Sequence, residues 1–86
     1  MADAWVYMLR CVDGSLYTGW TVDVQARLNR HRAGAASRYT ASRLPVELAW
    51  MREMPDRRSA RQEEARIKQL PRAQKLALIA AGGSPT

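Results

Sequence analysis

The chain has 86 residues, 47% of them apolar and 26% charged, enough to fold one small domain with no room for a second. Fourteen Lys and Arg against eight Asp and Glu give a net charge of +6 and a pI near 10.5. A lone Cys11 excludes an internal disulfide and any multi-cysteine zinc site, a lone His31 excludes a His-rich metal cluster, and no apolar run approaches the ~18 residues of a membrane span.

Arginine supplies twelve of the fourteen cations, Lys68 and Lys75 being the only lysines. Arginine forks onto phosphate in a bidentate way, so a small Arg-dominated domain points to a polyanion, most often nucleic acid. The first residues lack the basic start and long apolar stretch of a secretory signal, so a soluble cytoplasmic protein is expected.

In chain order, Trp5 to Val12 is almost continuously apolar and rich in β-formers, and Leu16 to Thr21 resumes that character after Asp13-Gly14. Two such runs around Asp-Gly predict a hairpin. Asp23 then caps a first helix that stops at Gly34. Residues 34 to 45, small and polar with Arg38 and Arg43 around Tyr39, read as a loop. Val46 to Met51 alternates as a third strand. Pro55-Asp56 ends it and caps a second helix over about Arg57 to Leu70. Pro71 breaks that helix and can open a third, running to about Ala80. The expectation is a small single α/β domain, β-β-α-β-α-α, with a three-stranded antiparallel sheet flanked by helices. It occupies 1–86, with a core over about 5–79 and a flexible tail at 81–86.

A Gly-rich phosphate loop, His-Glu-x-x-His, Gly-x-Ser-x-Gly and Cys-x-x-Cys are all missing from the sequence. The chemistry left is sparse: Tyr7, Tyr17, Arg27, His31, and one or two of Glu63 and Glu64. Trp5-Val6-Tyr7, followed by Tyr17-Thr18-Gly19, resembles the paired signature of the GIY-YIG endonucleases. Arg27-Leu-Asn-Arg-His31 looks like that family's Arg-x-x-x-His element, and Ala60-x-x-x-Glu64-x-x-Ile67-Lys68 like its metal-binding glutamate helix. The likeness runs from Trp5 to about Ile79 and is nearest to the short standalone bacterial members, the YhbQ-like subgroup. Trp5 replaces the first signature's glycine, Thr18 the second's isoleucine, and Trp20 a lysine that some members carry.

The resemblance implies catalytic roles for Tyr7, Tyr17, Arg27, His31 and Glu64, with Glu64 as ligand of Mg²⁺ or Mn²⁺ and one of the two tyrosines as general base. Physical chemistry gives each a task. Arg27 can neutralise charge on a phosphate, and Mg²⁺ needs a single carboxylate because water and phosphate oxygens complete its shell. A tyrosine with a pKa of ~10 must be helped to take a proton at neutral pH.

At ~100° per residue, Val24, Leu28 and His31 form one stripe of the first helix with Arg27 at its rim. On the second helix Ala60, Ile67 and Leu70 form the buried stripe, with Glu63 expected inside it and Glu64 at its boundary beside Arg57, Arg61 and Lys68. Those three cations, with Arg38, Tyr39 and Arg43 in the loop, are the candidate nucleic-acid contacts. His31 on an apolar stripe fits a packed, hydrogen-bonded histidine as well as a site residue, and Cys11 reads as a small core hydrophobe.

The shared-site reading also fixes a register. A two-residue turn would pair Tyr7 with Trp20 and send the two tyrosines to opposite faces. A three-residue loop, Val12-Asp13-Gly14, instead pairs Tyr7 with Gly19 and Tyr17 with Leu9, with Gly14 at positive φ. Both rings would then lie on the face carrying Arg27 and Glu64, with room above Gly19 for a phosphate. The expected function is an Mg²⁺-dependent endonuclease or nuclease-like domain acting on DNA by structure rather than sequence. The alternative is a non-catalytic nucleic-acid-binding module, and a protein partner could supply specificity. No membrane partner is expected.

Overall fold

The computed structural model describes residues 3–82. In chain order the elements are β1 (Ala4–Arg10), β2 (Leu16–Thr21), α1 (Val24–Arg32), α2 (Arg38–Ala41), β3 (Glu47–Met54), α3 (Arg57–Lys68) and α4 (Arg72–Ala81). The expected order holds with one addition, because α2 stands inside the stretch that reads as a loop. The Ser37 side chain caps it by accepting the Tyr39 N–H. The helix caps at Asp23 and Asp56 form as expected, each carboxylate taking a first-turn N–H, Ala26 at 3.0 Å and Ser59 at 2.7 Å. Pro71 is the cap of α4 rather than its first helical residue. Of the expected tail, Ala81 ends α4 and Gly82 closes it, while residues 83–86 lie outside the described part.

The sheet order is β2-β1-β3, all antiparallel. β1 is central, which explains why its run is apolar on both faces. Ala4, Val6 and Met8 pack against Trp50, Ala60 and Ile67, so α3 covers that face, and Leu78 and Ile79 of α4 join the same cluster. Tyr7, Leu9 and Cys11 pack on the other face with Leu28 of α1 and Val46. Each fully buried side chain such as Met8 or Ile67 contributes about 1.5–3 kcal/mol. β3 is longer than its alternation suggests, because pairing continues through charged Arg52 and Glu53 to Ala4↔Met54. A one-residue irregularity at Ala49 keeps Trp50 on the α3 face and Leu48 on the tyrosine face.

The hairpin carries the three-residue loop. Tyr7 lies opposite Gly19 and Leu9 opposite Tyr17, the Cys11 N–H donates to the Ser15 carbonyl at 2.9 Å, and Gly14 has φ +83°. A non-glycine residue at that φ would force Cβ against the carbonyl, so glycine is required there. The space expected above Gly19 is occupied. The Tyr7 phenol lies over it, and a Cβ added at Gly19 would come within 2.5 Å of Tyr7 Oη.

α3 is tied to the sheet by charge as well as by its apolar stripe. Glu63 accepts from Arg52 of β3 at 2.8 Å and from Arg66 at 2.7 Å, and the Arg66 hydrogen bond holds its carboxyl below the ordinary range. Glu63→Ala is expected to lower stability by about 1–2 kcal/mol in urea denaturation at neutral pH. Because the folded pKa is the lower one, this contribution is complete above the unfolded value of about 4.3 and fades as pH falls through the folded one. Gly19→Ala is expected to cost about 1–3 kcal/mol in the same assay, since the phenol it would strike is held in place from behind.

Candidate active site

Tyr7 is 2% exposed, and its hydroxyl is 2.8 Å from His31 Nε2. His31 is equally buried on the inner face of α1, and its Nδ1 is 2.8 Å from Thr40 Oγ1. The Thr40 hydroxyl in turn donates to the Ser37 carbonyl at 3.3 Å. A chain of hydrogen bonds thus runs from β1 through α1 to α2. Burial first, then the Arg27 and Arg30 charges, lower the His31 pKa, so the imidazole is neutral at pH 7. The Tyr7 pKa is pushed up to about 12, chiefly by burial and next by Tyr17. The Arg27 guanidinium pulls it down, and Glu64 adds a smaller upward push. Tyr7 is therefore a protonated phenol at neutral pH.

Tyr17 shares the face with Tyr7, with ring centroids 6.5 Å apart, and its ring meets His31 edge-on at 5.1 Å. Unlike Tyr7 it is half-exposed. Arg27, half-buried on α1, faces a shallow cleft with Trp20, Thr21, Val22 and Arg57. Glu64 comes to this group from the side and not from above. α3 buries Ala60 and Ile67 on the opposite face of the sheet, so α3 does not lie on the tyrosine face as the sequence suggested. At ~100° per residue, Glu63 and Glu64 straddle that stripe, one on each flank. Glu63 is not inside it: the two side chains are similarly shielded, 16% and 21% exposed. They differ in company. Glu63 is locked between two arginines, whereas Glu64 pairs loosely with Lys68 at 3.6 Å, and Lys68 Nζ sits 6.0 Å from the Tyr17 ring centroid.

The basic residues divide in two. Arg57 lines the Arg27 cleft, and Arg61 lines a second shallow surface with Arg58, Gln62 and Glu64, so α3 presents a cationic row running past the carboxylate. Arg43 is different. Its guanidinium stacks on Tyr39 at 3.9 Å and donates to Asp13, to Ser42 and to the Tyr39 carbonyl. These bonds make it a brace between α2 and the hairpin loop. Tyr39 is exposed and extends the aromatic row from Tyr17 at 6.0 Å, and Arg38 is exposed beside it.

Among the described residues no group of three or more His, Cys, Asp or Glu could hold a metal. Glu64 offers one hard, half-shielded carboxylate. That donor set fits Mg²⁺ or Mn²⁺, which keep several waters, and does not fit a zinc cage. Sequence reasoning missed Thr40 and Ser37. Both lie in what reads as an irregular polar stretch, and nothing in the spacing from His31 marks them.

The chain is similar along most of its length to known proteins. A GIY-YIG catalytic domain profile matches residues 3–77. A UPF0213 protein of Streptococcus sanguinis is 51% identical over 76 residues, 88% of this chain and 87% of that protein. One from Halobacterium salinarum is 48% identical over 74 residues, covering 86% and 96%. The solution NMR structure of a UPF0213 protein from Bacillus halodurans superposes with a TM-score of 0.61 at 38% identity, covering 95% of this chain and 87% of that one. Among the described residues no helix is long and apolar enough to cross a membrane. With the tyrosine pair, the arginine-histidine helix and the glutamate helix in the family's order, the chain belongs to the GIY-YIG catalytic domain family of nucleases, among its UPF0213 members.

Proposed function

We propose that this protein is a cytoplasmic, Mg²⁺-dependent endonuclease that hydrolyses phosphodiester bonds in DNA, selecting backbone shape rather than sequence. One observation carries the reading: the Tyr7 phenol is hydrogen-bonded to a neutral histidine and feels both Arg27 and Glu64. A phosphate-gripping cation, a metal-competent carboxylate and a proton acceptor thus converge on one small region. A plain binding module has no use for the carboxylate, which would repel phosphate.

In this mechanism Arg27 donates to the non-bridging oxygens of the scissile phosphate and offsets charge as it builds there. With a pKa of about 12, Tyr7 does not wait as a phenolate. It takes a proton from the attacking water as its own proton passes to His31 Nε2. The water oxygen bonds to phosphorus, the bond to the leaving oxygen breaks, and that oxygen takes a proton from solvent. The imidazolium then returns its proton to solvent through Tyr7, which resets the site. When bound at Glu64, a divalent ion would supply Lewis-acid stabilisation of charge on the phosphate and the leaving group. Arg57, Arg61 and Lys68 hold the flanking backbone, with Arg38 and Tyr39 contacting the strand at the other end of the tyrosine row.

Incubation with single-stranded, duplex, flapped and forked DNA and RNA, with Mg²⁺, with Mn²⁺ and with EDTA, tests this reading. Metal-dependent cleavage of branched DNA is expected, with none in EDTA. Tyr7→Phe and Glu64→Ala should each reduce cleavage at least ~100-fold while binding persists, slightly tighter for Glu64→Ala. Tight binding without cleavage of any substrate would favour the non-catalytic module instead.

Binding should also weaken steeply with salt, with a log-log slope of about −0.7 to −0.9 for each phosphate neutralised. Arg61→Gln should flatten that slope by about one unit. Binding indifferent to salt would overturn a nucleic-acid partner.

A further inference from the structure

The proton path needs His31 in one of its two neutral forms, with the lone pair on Nε2 facing Tyr7. Two buried hydrogen-bonding orders connect the same atoms. In one, Tyr7 O–H donates to Nε2, Nδ1–H donates to Thr40, and Thr40 O–H donates to the Ser37 carbonyl. Every hydrogen in that order has an acceptor, and the distances are 2.8, 2.8 and 3.3 Å. In the reverse order Thr40 O–H donates to Nδ1 and Nε2–H to Tyr7 Oη. The phenol's own proton then loses its protein acceptor, and the Thr40 hydroxyl gives up the Ser37 carbonyl, so the reverse order makes fewer hydrogen bonds within the protein.

We infer that Thr40 is a positioning residue: with its one hydroxyl hydrogen on the Ser37 carbonyl, its oxygen accepts Nδ1–H of neutral His31, and together with the Tyr7 phenol on Nε2 this selects the Nδ1–H form. Thr40 is wholly buried, so solvent cannot substitute for this contact. The groups facing the imidazole are Tyr7 from β1, Tyr17 from β2, Arg27 and Arg30 from α1 itself, and Thr40 from α2. The charged groups among them, Arg27 and Arg30, are cations, which disfavour the imidazolium and leave the choice of tautomer to the hydrogen bonds. Thr40 touches neither water nor phosphate in this scheme. It acts through His31 alone.

His31 is the sole histidine, so ¹⁵N labelling of histidine yields one unambiguous pair of ring signals. At neutral pH the folded wild-type protein is expected to show a protonated-type Nδ1 and an unprotonated-type Nε2. Thr40→Val, which keeps the shape and removes the hydroxyl, should move the population to Nε2–H or to a mixture, and Thr40→Ser should restore the Nδ1–H form. Wild-type protein in the Nε2–H form would overturn the inference, as would Thr40→Val leaving the tautomer unchanged. The wild-type spectrum decides even if Thr40→Val does not fold.

The catalytic half of the inference rests on the nuclease reading. In the branched-DNA cleavage assay Thr40→Val is expected to lose about 10–100-fold in kcat with DNA binding unchanged, and Thr40→Ser to recover most of it. A tautomer that responds to Thr40 in a protein that cleaves nothing would leave the positioning role standing and remove the nuclease. Cleavage indifferent to a shifted tautomer would keep the nuclease and remove the role.

Discussion

The site depends on which residue of β2 lies across from Tyr7. Because side chains alternate along a strand, a slip of one residue would carry Tyr17 to the opposite face and place Trp20 where the Tyr7 ring now lies. Gly14 in its left-handed conformation fixes the loop at three residues and so fixes the pairing. Gly19, with no side chain, lets the phenol lie flat over the neighbouring strand and turn its oxygen toward α1. From these two glycines follow the shared face of the tyrosines, the contact with His31, and the burial that raises the Tyr7 pKa.

Burial has opposite effects on the two members of the hydrogen-bonded pair. It keeps the phenol protonated and the imidazole unprotonated, so each is held in its neutral form. A donor and an acceptor of complementary neutrality make a stable ground state in which neither group carries charge. Charge is confined to the rim, where Arg27, Glu64 and the cationic row of α3 meet solvent. The domain thereby keeps its thin core free of unpaired ions while holding reactive groups against it.

Much of this could be read from the residues in order. The Asp-Gly hairpin and the two Asp caps rest on local rules of turn chemistry and capping, whereas Tyr7, Tyr17, Arg27 and Glu64 stand out through the resemblance of their motifs to the GIY-YIG signatures. The demand that both tyrosines share a face even selected the register. Tertiary facts lay beyond such rules. Helical angle puts Glu63 inside the expected buried stripe, but the fold sets Glu63 and Glu64 on its two flanks. What separates them is company: Arg52 and Arg66 hold Glu63, while Glu64 faces Lys68. Thr40 sits in a stretch whose composition says loop, yet Ser37 starts a helical turn there and aims the hydroxyl at His31. Arg43 reads as a surface cation until its three partners are seen.

The hydrogen-bonded chain joins residues from the first strand, the first helix and α2, and Glu64 arrives only with the second half of the sequence. The Tyr7–His31–Thr40 chain is thus complete within the first 40 residues, whereas Glu64 and six of the twelve arginines come only with the second half. Contacts so distant in sequence form late and cooperatively, since each must overcome the entropy of closing a long loop. Topology thus divides the region in two: the hydrogen-bonded chain on the tyrosine face is built from the first half of the sequence, and the carboxylate and the cationic row of α3 reach it from the opposite side of the sheet.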